Sequence, residues 1–236
     1  ICIKMTVISK NERFEHIEVF RFNLDLFKTM FWDGRVQFKD DKVSTPADAS
    51  GDLTEEMLNV FFAEEATEGF KGYGLVGVQA LFPVTSVDEM RGEESEDNEL
   101  AHFGGEDFKE IWEALMVRLG AIPEYVTLFE SAYPNTDFND MTFAHAANAI
   151  AGFEIKAFDF RNNPWQEVIE DISSDGIWDN QDTLAEDATR GAHFFFETGC
   201  VNCHSGSVMS DFGYHNLANA QFGPGKGDGN LGVEDF

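Results

Sequence analysis

The sequence predicts a mainly α protein, and three observations carry that expectation. Apolar residues recur at three-and-four spacing from Asp107 onward, strand patterns have almost no support, and turn residues punctuate the chain where helices should end. In the first of these helices Phe108, Ile111, Trp112, Leu115, Met116 and Leu119 form one apolar face. Gly120 is expected to stop it. Pro123 suits the first turn of a second helix, whose amphipathic face is read from Tyr125, Leu128 and Phe129. Thr142 is expected to cap a third helix by its side chain, with Ala146, Ala147, Ala149 and Ala151 beside Phe143, Ile150 and Phe153. That face is read first as ordinary helix packing.

Turn signals at Asn162, Asn163 and Pro164 and again at Ser173 to Gly176 break the helical run. A boundary is drawn there, giving a first domain over 1–162 and a second over 163–236. A fourth helix is expected from about Thr183 to Glu197, ending at Gly199. Upstream, Gly51, Gly69, Gly72, Gly74 and Gly77 and the acidic run from Asp88 to Glu99 make loops the expectation for roughly residues 1 to 100. No regular element is expected in the glycine-rich tail from Gly223 to Gly232. Internal repeats are not apparent.

The 236 residues carry 44 acidic against 16 basic side chains, a formal net charge of −28. Such a field repels phosphate backbones, which argues against nucleic-acid binding. A hydrophobic share of 43% with 24 phenylalanines is too apolar for a disordered acidic tail, so the charge must coat a folded body. Either a salt-rich medium or a lysine-faced partner suits that coat. No run reaches the length of a membrane span. The opening ICIKMTVISKNERF has neither an initiator methionine nor the layout of a secretory signal, and reads as a processed or incomplete N-terminus.

Three cysteines are too few for a disulfide scaffold, and two of them share one motif. Cys200-Val201-Asn202-Cys203-His204 is C-x-x-C-H, in which two thiols add across the vinyl groups of a haem and the histidine becomes an axial iron ligand. Structural zinc would need a second pair of ligands, and the spare cysteine, Cys2, lies at the opposite end. A thioredoxin-like pair would need a strand before the motif, whereas a helix and Gly199 precede it. Covalent haem c is therefore the expected cofactor. Because thioethers to haem are made outside the cytoplasm, the motif also points to a periplasmic or otherwise exported protein. Electron carriers and enzymes both use it.

The flanking residues narrow that choice. Arg190-Gly191-Ala192, Phe195-Phe196, the haem motif, then Phe212, His215-Asn216 and GPGKGDG resemble the electron-transfer haem region of the bacterial di-haem cytochrome c peroxidase family, which includes the MauG type. Phe31-Trp32-Asp33-Gly34-Arg35 is similar to its FWDGR segment, and Gln79, Pro83-Val84 and Glu89-Met90 to its Q…PV…EM stretch. Thr142 to Glu154 and Asn162 to Val168 are similar to the helix and turn that join its two haem domains. The resemblance spans roughly residues 22 to 236 and departs from the family in having no earlier C-x-x-C-H.

It implies cytochrome c-like haem domains with long loops and little or no sheet, and a periplasmic oxidoreductase that reduces hydrogen peroxide. Electrons would enter at the haem held by Cys200, Cys203 and His204 and pass by Trp32 toward a second haem attached outside this chain. Glu89 takes the role of distal acid–base group, with a surface glutamate as the alternative, and Gln79 would hold it or a pocket water. Trp32 as a core anchor, Asp33 and Arg35 as structural residues and Met90 as packing complete that reading. His145 and His193 default to ordinary helix positions, and His215 to a hydrogen-bonding element of the haem loop. Met209, five residues past His204, is a poor second axial ligand. Calcium between the domains is left open, as is a homodimer. The implied donor is a small cationic cytochrome c or cupredoxin. The other readings are a non-enzymatic mono-haem carrier and a MauG-like enzyme that oxidises a partner protein.

Overall fold

The structure is a computed structural model that describes residues 23–31, 34–39, 42–45, 52–94, 98–161, 163–176, 178, 181–213 and 215. It is mainly helical and divides into two compact units, residues 1–157 and 158–236. Trp32 and Asp33 lie outside the described residues, as do Cys2, His16 and the glycine-rich tail.

Where loops were expected, the first unit holds a small antiparallel sheet, β1 (Thr29–Met30), β2 (Val36–Lys39) and β3 (Lys42–Ser44), in the order β1-β2-β3. These strands are too short to display a period of two in sequence. What fixes them is packing, because Met30 and Val36 face each other across the ladder and are both buried, and β1 and β2 lie against α3. Three helices also fall in the supposed loop region: α1 (Glu55–Phe61), α2 (Glu65–Glu68) and α3 (Gly74–Gln79). Thr54 caps α1, its hydroxyl accepting from the Met57 N–H at 3.2 Å.

The expected helices follow as α4 (Phe108–Gly120), α5 (Pro123–Ala132) and α6 (Phe143–Ala157). On α4 the predicted face is the buried one, except that Leu119 is only partly covered. Gly120 has another reason to be glycine than stopping the helix. A Cβ there would lie 2.9 Å from the Phe138 ring; α4 ends at this glycine as expected, and Ile122 before Pro123 is already extended. On α5 only Phe129 of the three predicted face residues is buried, and Tyr125 and Leu128 are exposed.

Two close approaches set the core. Gly77 of α3 meets the Phe61 ring so closely that a Cβ would stand 2.4 Å from it, and Gly152 of α6 meets Tyr73 at 2.7 Å. Small residues let α3 pack on α6, with Ala144, Ala146, Ala147 and Ala151 buried. Phe143 of the predicted α6 face is buried too, whereas Ala149, Ile150 and Phe153 turn outward.

Buried polar groups tie this core together. Asn148 accepts from the Tyr73 N–H at 2.9 Å and donates to the Lys71 carbonyl at 2.9 Å, so one side chain fixes the approach to α3. Tyr133 donates to the His145 carbonyl at 2.7 Å. The Thr142 hydroxyl does not cap α6 and has no hydrogen-bond partner among the described residues. The cap runs the other way, with Nδ1 of His145 accepting from the Thr142 N–H at 3.1 Å.

The second unit contains α7 (Pro164–Asp175) and α8 (Glu186–Glu197). Asn163 caps α7 by accepting from the N–H groups of Trp165 and Gln166. The expected fourth helix begins later than predicted, because Gln181–Thr183 form a separate short turn ahead of α8.

Candidate haem-binding and proton-transfer sites

In the second unit α8 delivers the chain into the cysteine motif. Gly199 closes the helix at φ +83°, a left-handed conformation that glycine adopts without penalty, and its N–H bonds to the Phe196 carbonyl. Cys200–Asn202 then form a single 3-10 turn, and the N–H groups of Cys203 and His204 both donate to the Cys200 carbonyl. Positions three and four apart thus share one face, which brings the two thiols and the imidazole onto one turn. Neither Cys200 nor Cys203 is in a disulfide.

A returning loop orients His204. Asp211 donates its N–H to the Cys203 carbonyl at 2.9 Å and Ser210 to the Ser205 carbonyl at 2.8 Å, folding the loop behind the ring. There His204 Nδ1 lies 3.2 Å from the Met209 carbonyl. A carbonyl can only accept, so Nδ1 carries the proton and Nε2 presents its lone pair outward. Because the Met209 backbone stands on the Nδ1 side, Met209 is also misplaced to ligate a metal from the face opposite His204.

Aromatic rings flank the turn. Trp165 of α7 stacks on Phe196 with centroids 5.7 Å apart and meets Phe195 edge-on at 6.1 Å, and Phe195 lies 6.5 Å from the His204 ring. Trp165 also donates to the Gly206 carbonyl at 3.3 Å. All three rings are only half-buried. Two free thiols, an imidazole with Nε2 presented and partly covered aromatic faces are what a covalently attached haem requires, so the residues fit the group. Trp165 was read from sequence only as part of a joining segment. Its contacts with Phe195, Phe196 and Gly206 are long-range, and no local pattern shows them.

The other predicted residues lie in the first unit. Gln79 ends α3 and is buried, yet its Oε1 has no hydrogen-bond partner among the described residues. A buried amide oxygen left without a donor is costly, so this position fits a ligand or water that donates to it. Glu89 is half-buried on a loop that returns on itself, with the Met90 N–H bonded to the Pro83 carbonyl and the Arg91 N–H to the Ser86 carbonyl. Arg91 and Asn98 brace this loop, Arg91 donating to the Thr85 and Phe103 carbonyls and Asn98 to those of Met90 and Arg91. Met90 packs against the core.

Between β1 and β2 the Gly34 N–H donates to the Phe31 carbonyl. Phe31 is held at φ +65° and packs edge-on against Phe82, which precedes the Pro83 loop, at 6.2 Å. Arg35 lies over the Phe31 ring at 4.2 Å. Phe31 and the loop bearing Glu89 are thereby neighbours.

His145, expected to be an ordinary helix residue, is buried and caps α6; burial pushes its pKa below the usual value of 6.5. His193 is exposed beside Trp178, and His215 pairs with Asp211 at 2.7 Å. The Asp211 carboxyl is held below the usual carboxylate range by the Gly213 N–H first and by His215 second.

Residues 9–173, well over half of the sequence, match the family model described as di-haem cytochrome c peroxidase. The chain belongs to this family. No curated protein and no solved structure matches it. The matched span starts upstream of the resemblance drawn from about Phe22 and ends before Cys200, so the haem motif stands on its own residues. Membership in the di-haem peroxidase family makes the protein an oxidoreductase of peroxidase type that uses haem c and its iron. Among the described residues no helix is long and apolar enough to cross a membrane.

Proposed function

We propose that the chain acts in the periplasm to reduce hydrogen peroxide with electrons from a small cationic carrier protein. The balance is one peroxide, two electrons and two protons to two waters. The observation that carries the reading is the 200–204 turn, with both thiols and an oriented imidazole on one face, in a chain of the di-haem peroxidase family. Cys200 and Cys203 would hold the haem by thioethers and His204 Nε2 would bind its iron; when bound, the group supplies one-electron chemistry. Trp165, Phe195 and Phe196 would cover its edge and keep water from it.

Glu89 can take a proton from one peroxide oxygen and return it to the other, which turns the leaving oxygen into water. Gln79, with its acceptor oxygen buried and unpartnered, orients a donor there. Trp32 would lie on the electron route, and a second haem would be attached outside these residues. The net charge of −28 favours a lysine-faced cytochrome c or cupredoxin as donor.

Glu89→Gln in the full-length protein should lower peroxide turnover by about a hundredfold or more with haem content intact. An unchanged rate returns Glu89 to the surface. The single C-x-x-C-H favours one competing reading, a non-enzymatic carrier, and the haem count per full-length chain from a pyridine spectrum separates the two.

A further inference from the structure

The loop that orients His204 also brings three unlike donors together. Cys203 Sγ, a carboxylate oxygen of Asp211 and a ring nitrogen of His215 all lie within 4.8 Å of one another. The motif alone disfavours structural zinc for want of a second pair of ligands. The structure instead supplies an oxygen and a nitrogen. We infer that the haem-free chain carries a site for a borderline divalent cation of the zinc type, made by Cys203, Asp211 and His215, and that haem attachment abolishes it by consuming the Cys203 thiol.

The donor set decides the class of ion. One thiolate, one imidazole and one carboxylate suit zinc or cobalt(II), and three protein ligands leave a fourth tetrahedral position for water. Donors on one zinc stand roughly 3–4 Å apart, given bonds of about 2.0–2.3 Å, so separations of up to 4.8 Å need to close by about an ångström while the 2.7 Å His215–Asp211 contact opens slightly. His215 Nε2 already stands 2.7 Å from Asp211 Oδ2, and a cation can take the place of that contact. The backbone is set for this. The Asp211 N–H is tied to the Cys203 carbonyl at 2.9 Å and Asp211 Oδ1 accepts from the Gly213 N–H at 2.9 Å, which holds the carboxylate beside the thiol. Cys200, exposed and with its Sγ 3.4 Å from the Thr198 hydroxyl, is not in the group.

The metal site stands on geometry alone; its exclusion by haem rests on the attachment reading above. The test titrates Zn²⁺ and Co²⁺ into the reduced full-length chain made without haem attachment, followed by calorimetry and by the thiolate-to-cobalt charge-transfer band. One ion should bind per chain, Cys203→Ala should remove the band, and His215→Gln and Asp211→Asn should each weaken binding at least about tenfold. Cys200→Ala should keep both affinity and band. Because Asp211 and His215 are exposed, far-UV circular dichroism should stay the same in these variants. Binding that survives His215→Gln but is lost with Cys200→Ala places the ion on the cysteine motif itself and overturns the proposal, as does no binding. If haem never attaches covalently, the proposed function fails while the titration still reads the site. If haem-loaded protein binds zinc as tightly as the haem-free chain, the exclusion fails.

Discussion

The first unit closes an apolar interior of its own, with Phe61, Leu81, Leu100 and Ile111 at or near zero exposure. In the second, Val168 and Ala192 are the buried apolar residues among those described, while Trp165, Phe195 and Phe196 stay half-exposed and Phe194 more so. Both units are helical and both are acidic at the surface. What separates them is where the burial comes from. Among the described residues of 1–157 packed side chains supply it, whereas those of 158–236 set their aromatic rings around a turn whose chemistry calls for a large planar ring. Stability in the first should depend on side-chain volume, and in the second on the attached group.

The strongest way to break that contrast is to empty the first interior. Phe61→Ala should destabilise the first unit by about 3–5 kcal/mol, the cost of the lost transfer energy and the cavity left on α3. Denaturant titration followed in that unit reads it, and a loss under about 1 kcal/mol would show an interior able to collapse. Next in size, haem attachment should slow amide exchange in α8 and the 200–213 loop by about a hundredfold or more, and leave α3 and α6 as they were. Equal slowing in both units would erase the distinction.

A smaller effect tests the polar ties. Asn148→Ala leaves the Tyr73 N–H without its acceptor and the Lys71 carbonyl without its donor, and should cost about 1–3 kcal/mol. The smallest is a slope with pH. His145 has its pKa lowered by burial, so the folded state binds its proton less readily than the unfolded one. Its contribution is complete above the ordinary value of 6.5 and is lost as pH falls through the lower folded value. Stability of the first unit should therefore fall on acidification from pH 7, by at most about 1.4 kcal/mol per pH unit from this group, and His145→Gln should flatten that slope. A slope unchanged in the variant assigns the loss to the carboxylates.

Sequence reading succeeded where a signal was local and periodic. The α4 face and the C-x-x-C-H turn are of that kind, because spacing along a helical turn is itself geometry. It failed where distant residues decide. Nothing near Thr29 or Val36 announces a sheet, since strands of two to four residues hold only by lying on α3. Thr142 is a good capping residue by type, yet His145 three positions on performs the capping. Ile150 and Phe153 satisfy an apolar pattern and still face outward, because α3 covers the alanine side of α6. In the haem region the three motif residues were visible, while Trp165, 41 positions from Gly206, was not. Gln79 and Glu89 were singled out by resemblance, and the burial of an unpartnered Gln79 Oε1 is knowledge only coordinates supply.

Gly77 and Phe61 carry a consequence for how this sequence can drift. With 2.4 Å between a hypothetical Cβ and the ring, neither position is free to vary alone. A methyl group at 77 demands a smaller residue at 61, and Phe61→Leu without a partner change leaves a gap beside α3. The two sites form one unit of inheritance whose total volume is fixed. Among relatives of this chain, those with a side chain at the first position should have traded the aromatic ring at the second, and Gly77→Ala should be repaired by Phe61→Leu.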